Sequence, residues 1–325
     1  MAKKKVYVTR SIPSAGLQML EKECEVEINP HDRVLSHEEL IRAVSGRDGV
    51  LCLLTDAVDA AVLSAAKQAK VFANYAVGYN NVDVATATKL GIAVTNTPGV
   101  LTEATADMAW ALLMASARRI VESDKFTREG KFDGWGPKMF IGGDIAGRTL
   151  GLVGAGRIGS AVAQRARGFD MKILYHNRSR NAELESKYGA TLVDLNTLLE
   201  QSDYVSLHAP FTPETKHMIN AAALKRMKPK AYLINTARGP IVDEKALVVA
   251  LKEGWIAGAG LDVYEQEPKI EAGLIGLPNV VLCPHIASAT EETRDKMSTM
   301  AASNLLAVLH GEVPPNLVNP DVKVR

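Results

Sequence analysis

Three features of the sequence predict an α/β fold made of two doubly wound parallel-sheet domains. Short runs rich in Val, Ile and Leu alternate with longer stretches of helical period. The alternation occurs twice, with a long helical pattern between the two series. The length, 325 residues, suits two domains at roughly 150 residues each.

The elements follow in order. Residues 6–9 read as a strand, 15–24 as a helix and 49–54 as a buried strand. Residues 70–74 and 92–95 continue the pattern, which ends at the turn-forming group Asn96-Thr97-Pro98-Gly99. Residues 102–129 contain no Gly or Pro and read as one long helix, either a core helix or a dimer surface. A glycine-studded aromatic segment, 130–140, comes next. The second series has strands at 149–153, 171–175, 204–207, 231–234, 258–263 and 280–283, and a final helix at 290–309. No short-period repeat or low-complexity tract interrupts it.

Composition narrows the function classes. Lys plus Arg number 38 and Asp plus Glu 37, a net charge of +1, which argues against nucleic-acid or anionic-membrane partners. The apolar fraction of 47% is that of a globular chain rather than a disordered one. The longest apolar stretch, 108–117, is far short of the roughly 20 residues that a membrane span requires. The basic start, Met1 to Lys5, runs into a short β-branched segment rather than the apolar core of a signal peptide. Cys24, Cys52 and Cys283 have no zinc spacing and suggest no disulfide framework, so a reduced, cytoplasmic protein without a metal site is expected.

Gly154-Ala155-Gly156-Arg157-Ile158-Gly159 follows a strand and opens a helix. In that setting the first glycine permits a tight turn, the second lets backbone approach a pyrophosphate, and the third lets helix and strand pack closely. The helix N-terminus would then hold the phosphates. An ordinary glycine-rich turn is the alternative. A carboxylate about 20 residues further on would bond a ribose 2′-hydroxyl. Here the sequence reads His176-Asn177-Arg178-Ser179-Arg180. Arginine forks suit a 2′-phosphate, so NADPH is the expected cofactor, with NADH used at lower efficiency. A solvated basic loop is the plain alternative.

A dehydrogenase also needs an acid/base and a cation to orient an acidic substrate. Arg238 ends a strand at a Gly-Pro turn, where α/β sheets collect ligands. Asp262, Glu265 and Glu267 follow the next strand, and His285 follows the last. His31, His37, His176, His208, His217 and His310 compete with His285, but none lies in so tight a frame. No GxSxG or HExxH motif supports a hydrolase.

The fingerprint, Asn235-Thr236-Ala237-Arg238-Gly239, Gly260-Leu261-Asp262-Val263 with Glu267-Pro268, and Pro284-His285-Ile286-Ala287-Ser288 closely resemble the D-isomer-specific 2-hydroxyacid dehydrogenases, in detail the glyoxylate/hydroxypyruvate reductase branch. The resemblance spans nearly the whole chain. It implies a Rossmann cofactor domain at 100–285 and a flavodoxin-like discontinuous substrate domain at 1–99 and 286–325, with a cleft that closes over the substrate. It implies that Arg238 binds the substrate carboxylate and carbonyl, that His285 donates the proton, and that Glu267 pairs with His285. It also implies dinucleotide contacts from Arg157, Ile158, Asn177, Arg178, Ser179, Arg180, His208, Pro210, Thr215, Thr236, Ala237, Arg238, Asp262, His285 and Ala287 besides the three glycines. Val77 and Gly78 would form an anion-binding nest for the substrate, or a plain turn, and Leu54 would pack near its small end. Trp135 and Met139 lie in an arm that would reach the other subunit of a homodimer; packing of Trp135 on its own chain is the alternative.

The expected reaction is NADPH-dependent reduction of small 2-keto acids such as glyoxylate and hydroxypyruvate to D-2-hydroxy acids. A 2-ketogluconate reductase, a phosphite dehydrogenase or a D-3-phosphoglycerate dehydrogenase would use the same chemistry. The last fits less well, since 325 residues leave no room for a regulatory domain. A dinucleotide-sensing corepressor-like scaffold is the non-catalytic rival.

Overall fold

The computed structural model describes residues 2–324; Met1, the start of the basic run, and Arg325 lie outside them. The chain divides into two compact units, one up to Leu101 and again from Ser288 onward, the other Thr102–Ala287. Each cut lies two residues beyond the expected one.

In the first unit β1 (Lys4–Val8), α1 (Ser14–Glu23), β2 (Cys24–Ile28), α2 (His37–Val44), β3 (Gly49–Leu53), α3 (Ala60–Ala65), β4 (Val71–Tyr75), α4 (Val84–Lys89) and β5 (Ala93–Thr95) alternate. They build a five-stranded parallel sheet in the order β2-β1-β3-β4-β5. Val71, Ala73 and Tyr75 enter one apolar cluster and Phe72 another, so β4 is buried on both faces. Coverage on both faces is what near-continuous apolar strands require. Strand β2 corrects the sequence reading, which ran the helix to Cys24 and placed no strand there. Cys-Glu-Val-Glu-Ile is a weak edge strand with no turn residue before it; its pairing with β1, from Lys4↔Cys24 to Val8↔Ile28, makes it one.

The second unit opens with α5 (Thr102–Ala117) and α6 (Ile120–Arg128). The single helix expected over 102–129 is broken at Arg119, whose φ is 53°. The cause lies downstream. Gly143 N–H donates to the Ala117 carbonyl at 2.9 Å, and a Cβ on Gly142 would come within 2.1 Å of that oxygen. The returning chain thus takes a carbonyl that a continuous helix would use.

There follow β6 (Thr149–Val153), α7 (Arg157–Ala166), β7 (Lys172–His176), α8 (Ala182–Tyr188), β8 (Thr191–Leu192), α9 (Leu195–Gln201), β9 (Tyr204–Leu207), α10 (Ala221–Arg226), β10 (Tyr232–Asn235), α11 (Glu244–Lys252), β11 (Gly258–Leu261), α12 (Ala272–Ile275) and β12 (Val280–Leu282). Seven parallel strands run β12-β11-β10-β9-β6-β7-β8. Leu152 and Val153 enter opposite apolar clusters, so this sheet too is covered on both faces. The chain then returns to the first unit as α13 (Glu291–Leu309), which buries Met297, Ala301 and Leu305. Among the described residues no helix is long and apolar enough to cross a membrane.

Trp110 on α5 anchors one of these clusters. It is 5% exposed, stacks on Phe169 at 4.9 Å and donates from Nε1 to the Val162 carbonyl at 3.0 Å. Replacing Trp110 with Ala removes the ring and orphans that carbonyl. Urea denaturation should show a loss of about 3–5 kcal/mol.

Candidate active site

The β6–α7 turn shows why glycine stands at each fingerprint position. Gly154 has φ 97°, and a Cβ there would come within 2.6 Å of the Ala209 nitrogen. At Gly159 a Cβ would come within 2.2 Å of the Gly154 carbonyl. At Gly156 it would meet no protein atom within 4 Å. That site therefore needs glycine only if something outside the chain approaches. No side chain caps the first turn of α7, at Arg157 and Ile158, which leaves amides for an anion.

Two polar atoms just past the ends of β9 and β10 are buried without a partner, Nδ1 of His208, which packs against Gly154, and Thr236 Oγ1. Orphaned polar atoms beside a glycine cradle fit a polar, phosphate-bearing ligand such as a dinucleotide. The other ring nitrogen of His208 meets Ser206 Oγ at 2.9 Å, and burial pulls its pKa down to about 4. Burial thus favours the neutral ring. The Thr215 hydroxyl donates to the Pro210 carbonyl at 2.8 Å and accepts from Thr212 N–H at 2.8 Å, bracing the same loop.

After β7, Asn177 donates to the Ser179 carbonyl at 2.9 Å and Arg178 is exposed. Arg180 is not an idle cation. Its Nη2 lies 2.6 Å from Glu185 Oε2, a carboxylate eight positions beyond Asn177 that the sequence reading did not connect to this loop.

Arg238, Glu267 and His285 come together within the second unit. Arg238 follows β10, where Asn235 Nδ2 donates to its carbonyl at 3.0 Å and its own Nη1 donates to the Ala237 carbonyl at 2.7 Å. Burial lowers the Arg238 pKa and the Glu267 carboxylate opposes the shift, while a guanidinium stays charged in either case. Gly239 is compulsory beside it, since a Cβ there would overlap the Tyr264 carbonyl carbon at 1.8 Å. Glu267 accepts from Tyr264 N–H at 3.0 Å on one oxygen and faces His285 Nδ1 at 2.8 Å with the other. Burial pushes the Glu267 carboxyl up, but His285, Tyr264 N–H and Arg238 together hold it below its usual value. His285 has φ 55°, an uncommon left-handed backbone for a non-glycine residue.

Asp262 follows β11. Expected beside the dinucleotide, it is fully buried, and its two oxygens accept Ile286 N–H and Ala287 N–H at 2.8 Å each. It clamps the segment that carries His285. Tyr264, missed from sequence, braces the same region by donating from its hydroxyl to the Cys283 carbonyl at 2.8 Å.

The competing histidines lack this setting. His37 and His310 meet Asp59 and Glu23 at about half-exposed sites, and His176 Nδ1 meets the Val193 carbonyl. His217 meets Glu265 at 2.8 Å, so an acid partner alone does not single out His285. Proximity of Arg238 to the pair does.

In the first unit the carbonyls of Val77 and Gly78 accept from Asn96 and Asn74 side chains at 2.7 and 2.9 Å. Leu54 is half-buried and lines a surface hollow with Asn80 and Asp83. Trp135 is 83% exposed, so it does not pack on its own chain; Met139 is also exposed.

Residues 110–287 match the family profile described as D-isomer specific 2-hydroxyacid dehydrogenase, NAD binding domain. Over 324 residues, 98% of each chain, the sequence is 54% identical to a glyoxylate reductase of Thermococcus litoralis. It is 55% identical to one of Korarchaeum cryptofilum over 99% of this chain and 98% of that one. Among solved structures it superposes with TM-score 0.86 on an NADPH-dependent glyoxylate/hydroxypyruvate reductase of Sinorhizobium meliloti in complex with NADP and malonate. The identity there is 36%, over 100% of this chain and 99% of that one.

Proposed function

Because the chain belongs to the D-isomer specific 2-hydroxyacid dehydrogenase family and is an NAD(P)-dependent oxidoreductase, we propose that it reduces glyoxylate and hydroxypyruvate to D-2-hydroxy acids, with NADPH preferred over NADH. The observation that carries the reaction is the convergence of Arg238, Glu267 and His285.

In this reading Arg238 draws the substrate's carboxylate and carbonyl by charge and by its fork. A nicotinamide dinucleotide, when bound, would supply the hydride for the carbonyl carbon. His285 gives its proton to the carbonyl oxygen, and Glu267 favours the protonated ring by facing it with a carboxylate. Gly154, Gly156, Gly159 and the α7 amides hold the pyrophosphate, with His208, Pro210, Thr236 and Ala237 beside the dinucleotide. Asn177, Arg178, Ser179 and Arg180 receive the 2′-phosphate. The Val77 and Gly78 amides, which no hydrogen bond uses among the described residues, bind substrate carboxylate as an anion nest. The unit containing Thr102–Ala287 would be the cofactor domain and the other the substrate domain. The exposed arm around Trp135 would engage a second copy of the chain.

A kinetic panel tests this, with NADPH and NADH each run against glyoxylate, hydroxypyruvate, 2-ketogluconate and 3-phosphohydroxypyruvate. Glyoxylate and hydroxypyruvate should give the highest kcat/KM. NADPH should exceed NADH by about tenfold or more, as a charge-assisted hydrogen bond of about 1.5–3 kcal/mol implies. Arg178→Ala should narrow that ratio. A clear NADH preference would sink the cofactor assignment.

A further inference from the structure

The loop read as receiving the 2′-phosphate is held by a carboxylate on the helix that follows it. Glu185 on α8 is only 19% exposed at its side chain. Its Oε1 accepts from the hydroxyl of Tyr175, a residue wholly buried in β7, at 2.7 Å. Its Oε2 accepts from Arg180 Nε at 2.8 Å and lies 2.6 Å from Arg180 Nη2 in an ion pair. The Tyr175 oxygen also accepts Asn181 N–H at 2.9 Å, and Asn181 Nδ2 donates to the Ala155 carbonyl, inside the glycine turn, at 2.8 Å. One hydrogen-bonded chain therefore runs from the fingerprint to the arginine. Arg180 and then Tyr175 hold the Glu185 carboxyl below its usual range, so it is ionised at neutral pH.

We propose that Glu185 is a specificity-determining counter-charge: it anchors Arg180 beside the 2′-phosphate position and offsets part of that arginine's attraction, so that the site discriminates moderately and still accepts NADH. The proposal rests on the NADPH-preferring reading above. A guanidinium has five N–H donors. Glu185 takes the one from Nε, and the exposed guanidinium keeps others for a phosphate. Glu185 takes one unit from the +2 of the two arginines, separately from Glu214, which interacts with Arg178. A dianionic phosphate feels that difference, and a ribose hydroxyl does not.

Glu185→Gln separates charge from geometry. Its amide oxygen can still accept from Arg180, and its amide nitrogen can donate to the Tyr175 oxygen. The probes are 2′,5′-ADP and 5′-AMP, which differ only in the 2′-phosphate and bypass catalysis. E185Q should bind 2′,5′-ADP about three- to tenfold more tightly and 5′-AMP unchanged, with the same fold increase in the NADPH/NADH ratio of kcat/KM. That gain should fade toward about 1 M salt, where the screening length falls to about 3 Å. A purely structural role would show no such salt dependence. A second comparison uses the exposed Arg180: R180A/E185Q should bind 2′,5′-ADP more tightly than R180A, because the lone carboxylate repels the phosphate. Unchanged or weaker 2′,5′-ADP binding in E185Q, with R178A still weakening it, overturns the counter-charge and leaves the NADPH reading standing. If R178A and R180A leave 2′,5′-ADP binding unchanged, the NADPH reading falls and the counter-charge falls with it.

Discussion

His285→Ala is expected to lower kcat/KM for glyoxylate by about 10²–10⁴-fold, the usual worth of a positioned general acid, while the Kd for NADPH changes little. The expectation comes from geometry in the second unit. His285 Nδ1 faces Glu267 at 2.8 Å, which leaves Nε2 as the nitrogen able to deliver a proton. The Asp262 carboxylate pins the two amides that follow the histidine. Removing the imidazole leaves that clamp and the glycine turn in place, so dinucleotide binding measured by fluorescence should persist. Near-wild-type turnover would refute the role. Glu267→Gln is the companion variant, and it should also lose activity at neutral pH. Because the folded Glu267 value lies below the ordinary one, any stability it contributes is present above the unfolded value near 4.5 and lost as pH falls through the folded value. E267Q should therefore lose less stability than the wild type on acidification, as read by denaturation midpoints at several pH values.

Arg238→Ala is expected to cost about 2–5 kcal/mol in kcat/KM, roughly 30- to several-thousand-fold, because a charged, hydrogen-bonded orienting group is removed from a half-buried setting. Arg238→Lys keeps the charge but loses the fork, so it should recover only part of the loss. Added guanidinium ion should rescue R238A and leave H285A unchanged, since only the former lacks a cation. Failure of both the loss and the rescue would move substrate orientation elsewhere. Gly239 explains why the arginine's neighbour is fixed: its Cα lies against the Tyr264 carbonyl, so a side chain there would displace the loop that carries Glu267.

Much of this was legible in one dimension because buried parallel strands are written as apolar runs and a dinucleotide turn as spaced glycines. Strand β2 was not, because a half-polar edge strand is stabilised by its partner β1 rather than by its own residues. Nor was the break at Arg119, which depends on Gly143 arriving from 24 residues away to take the Ala117 carbonyl. Arg178 and Arg180 stood out as cations, yet Glu185 was invisible as the partner of Arg180. Its relation to them passes through the end of β7 and the buried Tyr175 hydroxyl, and a turn of helix α8 brings it back.

The sequence alone determined what is local in chemistry: two βα series, a phosphate-type glycine turn without its usual acid, and the order Arg238, Glu267, His285 along the strand ends. Tertiary structure decided which of those groups act on one another. Carboxylates show the difference most clearly. Asp262, Glu185 and Glu267 are interchangeable as letters, but one is buried against two amides, one is tied to an arginine, and one faces a histidine. A hydrogen bond is lost beyond about 3.5 Å and Coulomb energy weakens with separation, so a role depends on distances that chain order does not contain.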